Sequence, residues 1–200
     1  MRAWQIHSYG KPKDVLKLEN IDTPEPGPGE IRVIVEAATI NFNDLDGIYG
    51  RYLTVNPDLP FTPGMEIVGR VDACGEGAHA WQGKRVCAIP KGAFGGYAEM
   101  AICPTRMTFE MPDYIPTIEA AALYYPYHLS WLALFERGKL QAGETVVIHA
   151  AAGGIGSGAI QLAKQVGARV IATAGSKLKL ELCKQLGADV LINYQEQNFS

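Results

Sequence analysis

Residues Thr145 to Lys164, TVVIHAAAGGIGSGAIQLAK, decide the fold. Thr145, Val146, Val147 and Ile148 are all β-branched, which suits a buried strand. The run opens directly into Ala151-Ala152-Gly153-Gly154-Ile155-Gly156, after which apolar residues recur at Ile155, Ala159, Leu162 and Val166, a helical spacing. Strand, glycine turn and helix form the setting in which a dinucleotide fingerprint is credible. In the G-x-G-x-x-G frame the three positions are Ala151, Gly153 and Gly156, with alanine replacing the first glycine. Gly153 lets the backbone approach a pyrophosphate, and Gly156 lets helix and strand pack closely. The cofactor-binding stretch is therefore read as Ala151, Gly153, Gly154, Ile155 and Gly156. The pyrophosphate would rest on free N–H groups at the helix N-terminus, where the dipole favours negative charge.

Two further features extend this unit. A second strand is expected over Ala168–Ala174 after a helix stop at Gly167, and a second helix over Lys177–Leu186. That helix should present Leu178, Leu182, Cys183 and Leu186 on one face, with Gly187 as its C-cap. Asp189–Tyr194 reads as a third strand. The β-α-β-α-β series is one mononucleotide-binding half of a doubly wound sheet. The tip of the second strand selects the cofactor, because an NAD site wants a carboxylate about 20 residues past the turn. Gly175, Ser176, Lys177 and Lys179 stand there instead. The lysines also read as a solvated helix start. A 2′-phosphate attracts lysines and would be repelled by a carboxylate, so the missing acid favours NADPH.

The bulk properties narrow the class. At 200 residues and 48% hydrophobic, the chain has material for one or two cores. A net charge of −3 without a basic patch argues against nucleic acid as a partner. No apolar run reaches the roughly 18 residues that span a bilayer, and MRAWQIHSYG lacks the apolar core of a signal peptide. The expectation is a cytoplasmic protein that acts on a small molecule and is a homo-oligomer when full length. Cys74, Cys87, Cys103 and Cys183, like His7, His79, His128 and His149, are dispersed. They support neither a disulfide framework nor a metal site, and reduced buried thiols are expected, Cys87 above all.

Residues 1–125 read as β-rich, with strands at Arg2–Ile6, Leu16–Glu19, Ile31–Ala38, Glu66–Ala73 and Arg85–Ile89. The prolines of Pro24–Glu30 force an extended turn. Ile31, Val33 and Val35 alternate with Arg32, Ile34 and Glu36, giving a strand with one mostly apolar face. Asn41-Phe42-Asn43-Asp44 offers capping chemistry ahead of a short helix. A helical stretch over Ile118–Lys139 is expected to lead into the nucleotide fold.

With these elements in place, the chain resembles the medium-chain dehydrogenase/reductase superfamily, and within it the zinc-independent quinone oxidoreductases. The markers are PGPGE (Pro26–Glu30), NFND (Asn41–Asp44), FTPGMEIVGRV (Phe61–Val71), GKRV (Gly83–Val86), GGYAE (Gly95–Glu99), AAAGGIG (Ala150–Gly156) and GAD..INY (Gly187–Tyr194). The resemblance implies an α/β protein, with a GroES-like β-barrel domain over 1–125 followed by a Rossmann doubly wound domain. Residues 126–200 would supply only the first half of the latter. Zinc alcohol dehydrogenases carry cysteine where this chain has Asn41, histidine where it has Met65, and a four-cysteine lobe with no counterpart here. Without a thiolate and an imidazole there is no plausible tetrahedral catalytic site, so no metal is expected.

The resemblance further implies that Asn41, Tyr52 and Ser130 line the nicotinamide and substrate pocket. Related enoyl-thioester reductases have a proposed catalytic tyrosine at the place of Tyr52 in N-x-x-D-x-x-x-x-x-G-x-Y. Packing is the alternative for Tyr52, and Asn41 could equally cap a helix; Asp44 and Glu66 read as scaffold. For the 2′-phosphate, the matching positions are Gly175, Lys179 and Tyr194, the last also readable as an aromatic capping the sheet; Ser176, beside them at the strand tip, is read as cofactor-binding too. The implied activity is NADPH-dependent reduction of quinones or related conjugated carbonyls by hydride transfer. Reduction of an enoyl thioester and non-catalytic NADPH binding are the alternatives. Because the family continues for roughly a hundred residues beyond Ser200, the expectation is a fragment, with activity belonging to the complete protein.

Overall fold

The computed structural model describes residues 1–55 and 57–197. The chain divides into two compact units, Met1–Ala121 and Ala122–Ser200.

The first unit opens with β1 (Arg2–Gln5), α1 (Pro12–Val15) and β2 (Lys17–Asn20), and β1 and β2 pair antiparallel. Then follow β3 (Glu30–Ala38), α2 (Phe42–Ile48), β4 (Ile67–Cys74), β5 (Arg85–Ala88), β6 (Met100–Pro104), β7 (Thr108–Glu110) and α3 (Thr117–Ala121). β3 to β7 form an antiparallel sheet in the order β6-β3-β4-β5-β7. The alternation in β3 holds: Ile31 and Val33 are buried with Ile67, Val71, Val86, Ala101 and Cys103. Gly69 in β4 is required by its neighbour, since a Cβ there would collide with the Ile34 carbonyl oxygen.

The second unit contains α4 (Tyr124–Trp131), β8 (Thr145–Ile148), α5 (Gly154–Gln165), β9 (Arg169–Ala174), α6 (Lys177–Gln185) and β10 (Val190–Asn193). The three strands are parallel, in the order β10-β9-β8. Gly167 and Gly187 end their helices at positive φ, as expected of C-terminal glycines.

Three expectations need correction. The single helix over Ile118–Lys139 is α3, a break, α4, and a π-helical continuation over Leu132–Arg137. Pro126 accounts for the break, because it has no N–H to offer a carbonyl four residues back and is tolerated only in a first turn. The helix faces also differ. α5 buries Gly156, Gly158, Ala159, Ile160 and Ala163 while Ile155 is half exposed, and α6 buries Leu180 and Cys183 while Leu178 is 83% exposed. Ala159 and Cys183 are buried as expected, but the enclosed stripes also run through Ile160 and Leu180, which counting from Ile155 and Leu178 passes over. Finally, β6 and β7 are strands that the sequence pattern does not announce.

Cys87, Cys103 and Cys183 are buried, and burial pushes the Cys87 thiol up to about 11, so it stays protonated at neutral pH.

Candidate functional site

The candidate residues fall into two constellations, one in each unit. In the second unit, β8 runs into a tight turn in which Ala150 adopts φ +50°. The turn is pinned by Gly153 N–H donating to the Ala150 carbonyl at 2.9 Å, and by Ala151 N–H donating to Thr173 O of β9 at 3.1 Å. Gly153 is the N-cap of α5 with extended backbone and no side chain. A Cβ at Gly156 would lie 2.7 Å from both Ala150 O and Ala151 Cα, so only glycine allows this approach of helix to strand. Gly154, Ile155 and Gly156 occupy the first turn, where amides have no carbonyl four residues back and face outward. This cradle suits an anion.

The tips of β9 and β10 bring four of the named positions together. A Cβ on Gly175 would stand 2.6 Å from Tyr194 Oη, so the phenol overlies a residue kept bare. Ser176 is the N-cap of α6, and its hydroxyl accepts from the Lys179 backbone N–H at 3.4 Å. Tyr194 is half exposed and its N–H donates to Ala174 O at 3.3 Å. No acidic side chain occupies Gly175–Lys179.

Ser130 stands differently from the sequence reading. It is 1% exposed, and its hydroxyl lies 2.7 Å from Pro126 O and 2.9 Å from Ile155 O. It faces the first turn of α5 from inside the packing.

In the first unit the candidates surround α2. Asn41 is its N-cap, and its side-chain amide donates to Thr39 Oγ1 at 2.9 Å. Asp44, three residues on, accepts from Asn41 N–H at 2.8 Å and Gly64 N–H at 3.1 Å, and also bonds Met65 N–H and Tyr97 Oη. Burial nonetheless raises its carboxyl above the usual range. Tyr97 is pushed far above an ordinary phenol by burial and by Asp44. Glu66 is buried and accepts from Thr39 Oγ1 at 3.1 Å. These carboxylates tie α2 to the 61–66 segment, the work of scaffold.

Tyr52 packs against the cluster of Ile6, Ile48, Phe61, Met65 and Phe94, with its ring edge-on to Phe94. Its Oη accepts a hydrogen bond from Asn43 Nδ2 at 3.1 Å, which leaves the phenol hydrogen out of that bond. Asn43, the partner of Tyr52, is a candidate that sequence reasoning passes over. Its one signal is its place inside the NFND capping motif. A cavity of about 720 Å³ in this unit, walled by Trp4, Leu16, Leu18, Ile40 and Tyr97, is lined by neither Asn41 nor Tyr52. Among the described residues, no three His, Cys, Asp or Glu side chains are grouped to hold a metal ion, and no helix is long and apolar enough to cross a membrane.

Comparison with known proteins agrees with this division. Residues 27–113 match the alcohol dehydrogenase GroES-like domain, and residues 154–200 match the family described as zinc-binding dehydrogenase. The quinone oxidoreductase of Rattus norvegicus is 34% identical over 205 residues, covering 100% of this chain and 60% of its own length. The Coxiella burnetii quinone oxidoreductase structure aligns with a TM-score of 0.90 at 33% identity, over 100% of this chain and 64% of that one. The Thermus thermophilus quinone oxidoreductase, whose structure was solved alone and with NADPH, aligns with a TM-score of 0.84 at 36% identity, over 98% and 61%. The chain thus spans about 60% of the length of the curated relatives it matches. With a GroES-like first unit and the opening half of a nucleotide-binding second unit, the chain belongs to the medium-chain dehydrogenase/reductase superfamily and is quinone oxidoreductase-like.

Proposed function

We propose that the complete protein is an NADPH-dependent, zinc-independent oxidoreductase that reduces quinones or related conjugated carbonyls. The observation that carries this reading is the pair of cradles at the carboxyl ends of β8 and β9. One is a turn where Gly153 and Gly156 keep the backbone bare, and the other is a strand tip without a carboxylate where Tyr194 overlies Gly175. A dinucleotide's diphosphate fits the first and a 2′-phosphate the second, with Ser176 and Lys179 at its rim.

When bound, the reduced nicotinamide supplies hydride. The chain's residues hold and orient. The amides of Gly154, Ile155 and Gly156 grip the diphosphate, and Tyr52 places its hydroxyl at the substrate oxygen, where negative charge develops. Asn43 fixes that hydroxyl by donating to it, and a phenol that accepts a hydrogen bond becomes a better donor. Asn41 orients α2 as its cap. The Asn43–Tyr52 bond serves a second reading, an enoyl-thioester acceptor, equally well, since both substrates need a proton or a hydrogen bond at a carbonyl oxygen.

Cofactor binding, turnover and metal content test this reading. Fluorescence titration is expected to show tighter binding of NADPH than of NADH, each tenfold of preference corresponding to about 1.4 kcal/mol. Equal affinities would remove the phosphate assignment at Gly175 and Tyr194. NADPH oxidation by the complete protein across quinones and enoyl thioesters then separates the two substrate classes, and turnover of neither would leave a binding protein. Zinc independence rests on the donor set, since Asn41 and the buried Met65 offer no thiolate or imidazole. Elemental analysis is expected to find no stoichiometric zinc, and activity should survive chelator. One bound equivalent would overturn it.

A further inference from the structure

We propose that Ser130 is a positioning residue for the dinucleotide turn, acting through the Ile155 carbonyl rather than by touching nicotinamide or substrate. The inference rests on the dinucleotide reading above. α4 lies along α5 with Pro126 near Gly154, Tyr127 Oη accepting from Gln161 Nε2 at 2.7 Å, and Ser130 over Gly158. A Cβ on Gly158 would sit 3.4 Å from Ser130 Oγ and 3.6 Å from the Tyr127 ring, so the helices meet closely here. Within this contact Ser130 is 1% exposed, and its one hydroxyl hydrogen is shared between Pro126 O at 2.7 Å and Ile155 O at 2.9 Å. Ile155 belongs to the first turn of α5, the turn whose amides face the anion. A bond to its carbonyl fixes the axial position and rotation of that turn. Both carbonyls lie inside helices that supply their own N–H donors, so losing the hydroxyl relaxes the turn without stranding a buried group.

The test compares NADPH with 2′-phospho-ADP-ribose, which keeps both phosphate sites and lacks nicotinamide. Ser130→Ala is expected to weaken both ligands by the same factor, about three- to tenfold, the worth of one neutral hydrogen bond. Ser130→Thr, which keeps the hydroxyl, should bind both nearly as the parent does. A loss confined to NADPH would place Ser130 against the nicotinamide and overturn the proposal. Unchanged affinity for both would reduce Ser130 to packing and overturn it equally. Should the parent protein bind neither ligand, the dinucleotide reading falls, and hydrogen exchange without ligand still judges the positioning role. Ser130→Ala must then speed exchange of the Gly158 and Ala159 amides relative to those of α6. Equal protection would refute it.

Discussion

Gly156→Ala is expected to destabilise the second unit by about 2 kcal/mol and to weaken NADPH binding at least tenfold. The added methyl would stand 2.7 Å from Ala150 O and Ala151 Cα, both backbone atoms that cannot rotate away. Overpacking of this kind costs about 1–3 kcal/mol, and the gain in helix propensity returns up to about 1 kcal/mol. The helix must therefore move off the strand, taking its first-turn amides with it. For a chain of this size the destabilisation corresponds to a fall in Tm of roughly 4–8 °C. Gly154→Ala is the control, because its methyl would lie 3.7 Å from Pro126 Cγ, an ordinary contact, so stability should hold. A Gly156→Ala protein with the parent's Tm and NADPH affinity would show that the close approach is not required.

Tyr52→Phe in the complete protein is expected to lower kcat about ten- to a thousandfold with NADPH affinity nearly unchanged. The range is that of losing one donor aimed at developing charge. Phenylalanine keeps the ring among Ile6, Ile48, Phe61 and Phe94, so the fold should stand. Only the acceptor for Asn43 Nδ2 and the phenol hydrogen are lost. Because the bond strengthens as charge grows on the substrate oxygen, the loss falls on kcat more than on KM. A packing residue behaves in the opposite way: Phe is tolerated kinetically while Tyr52→Ala lowers Tm. Full kcat in Tyr52→Phe on both quinone and enoyl-thioester substrates would remove Tyr52 from the chemistry.

The parts of this chain legible in its sequence are those where one residue type has one physical use. Gly156 beneath the helix and Gly167 and Gly187 at helix ends read correctly, because each answers a backbone requirement. The β-branched run at Thr145–Ile148 is the expected strand, although of its four residues only Ile148 is buried and Val147 is 49% exposed. The buried faces of α5 and α6 are not legible in the same way. Periodicity counts Leu178, Leu182 and Cys183 as core, whereas the packing keeps Cys183, exposes the two leucines and buries Leu180. β7 escapes because three residues carry almost no pattern, and its place is set by pairing with β5. In the candidate site, the sequence supplies positions and the fold supplies partners. That Tyr52 meets Asn43, that Tyr194 covers Gly175, and that the Ser130 hydroxyl serves a carbonyl 25 residues away are contacts between distant or differently facing groups. No spacing rule contains them.

Ala150 gives the turn a kinetic character. A residue with a Cβ held at φ +50° sits about 1–2 kcal/mol above its relaxed backbone. Here the hydrogen bonds of Gly153 to Ala150 O and of Ala151 to Thr173 O hold it in place. That cost is met when the chain folds, before any ligand arrives. A loop already in its final shape has no rearrangement left to perform on encounter, so association should run at the rate set by diffusion and charge. Tighter or weaker dinucleotide variants of this protein would then differ in how long the ligand stays, and hardly at all in how fast it enters.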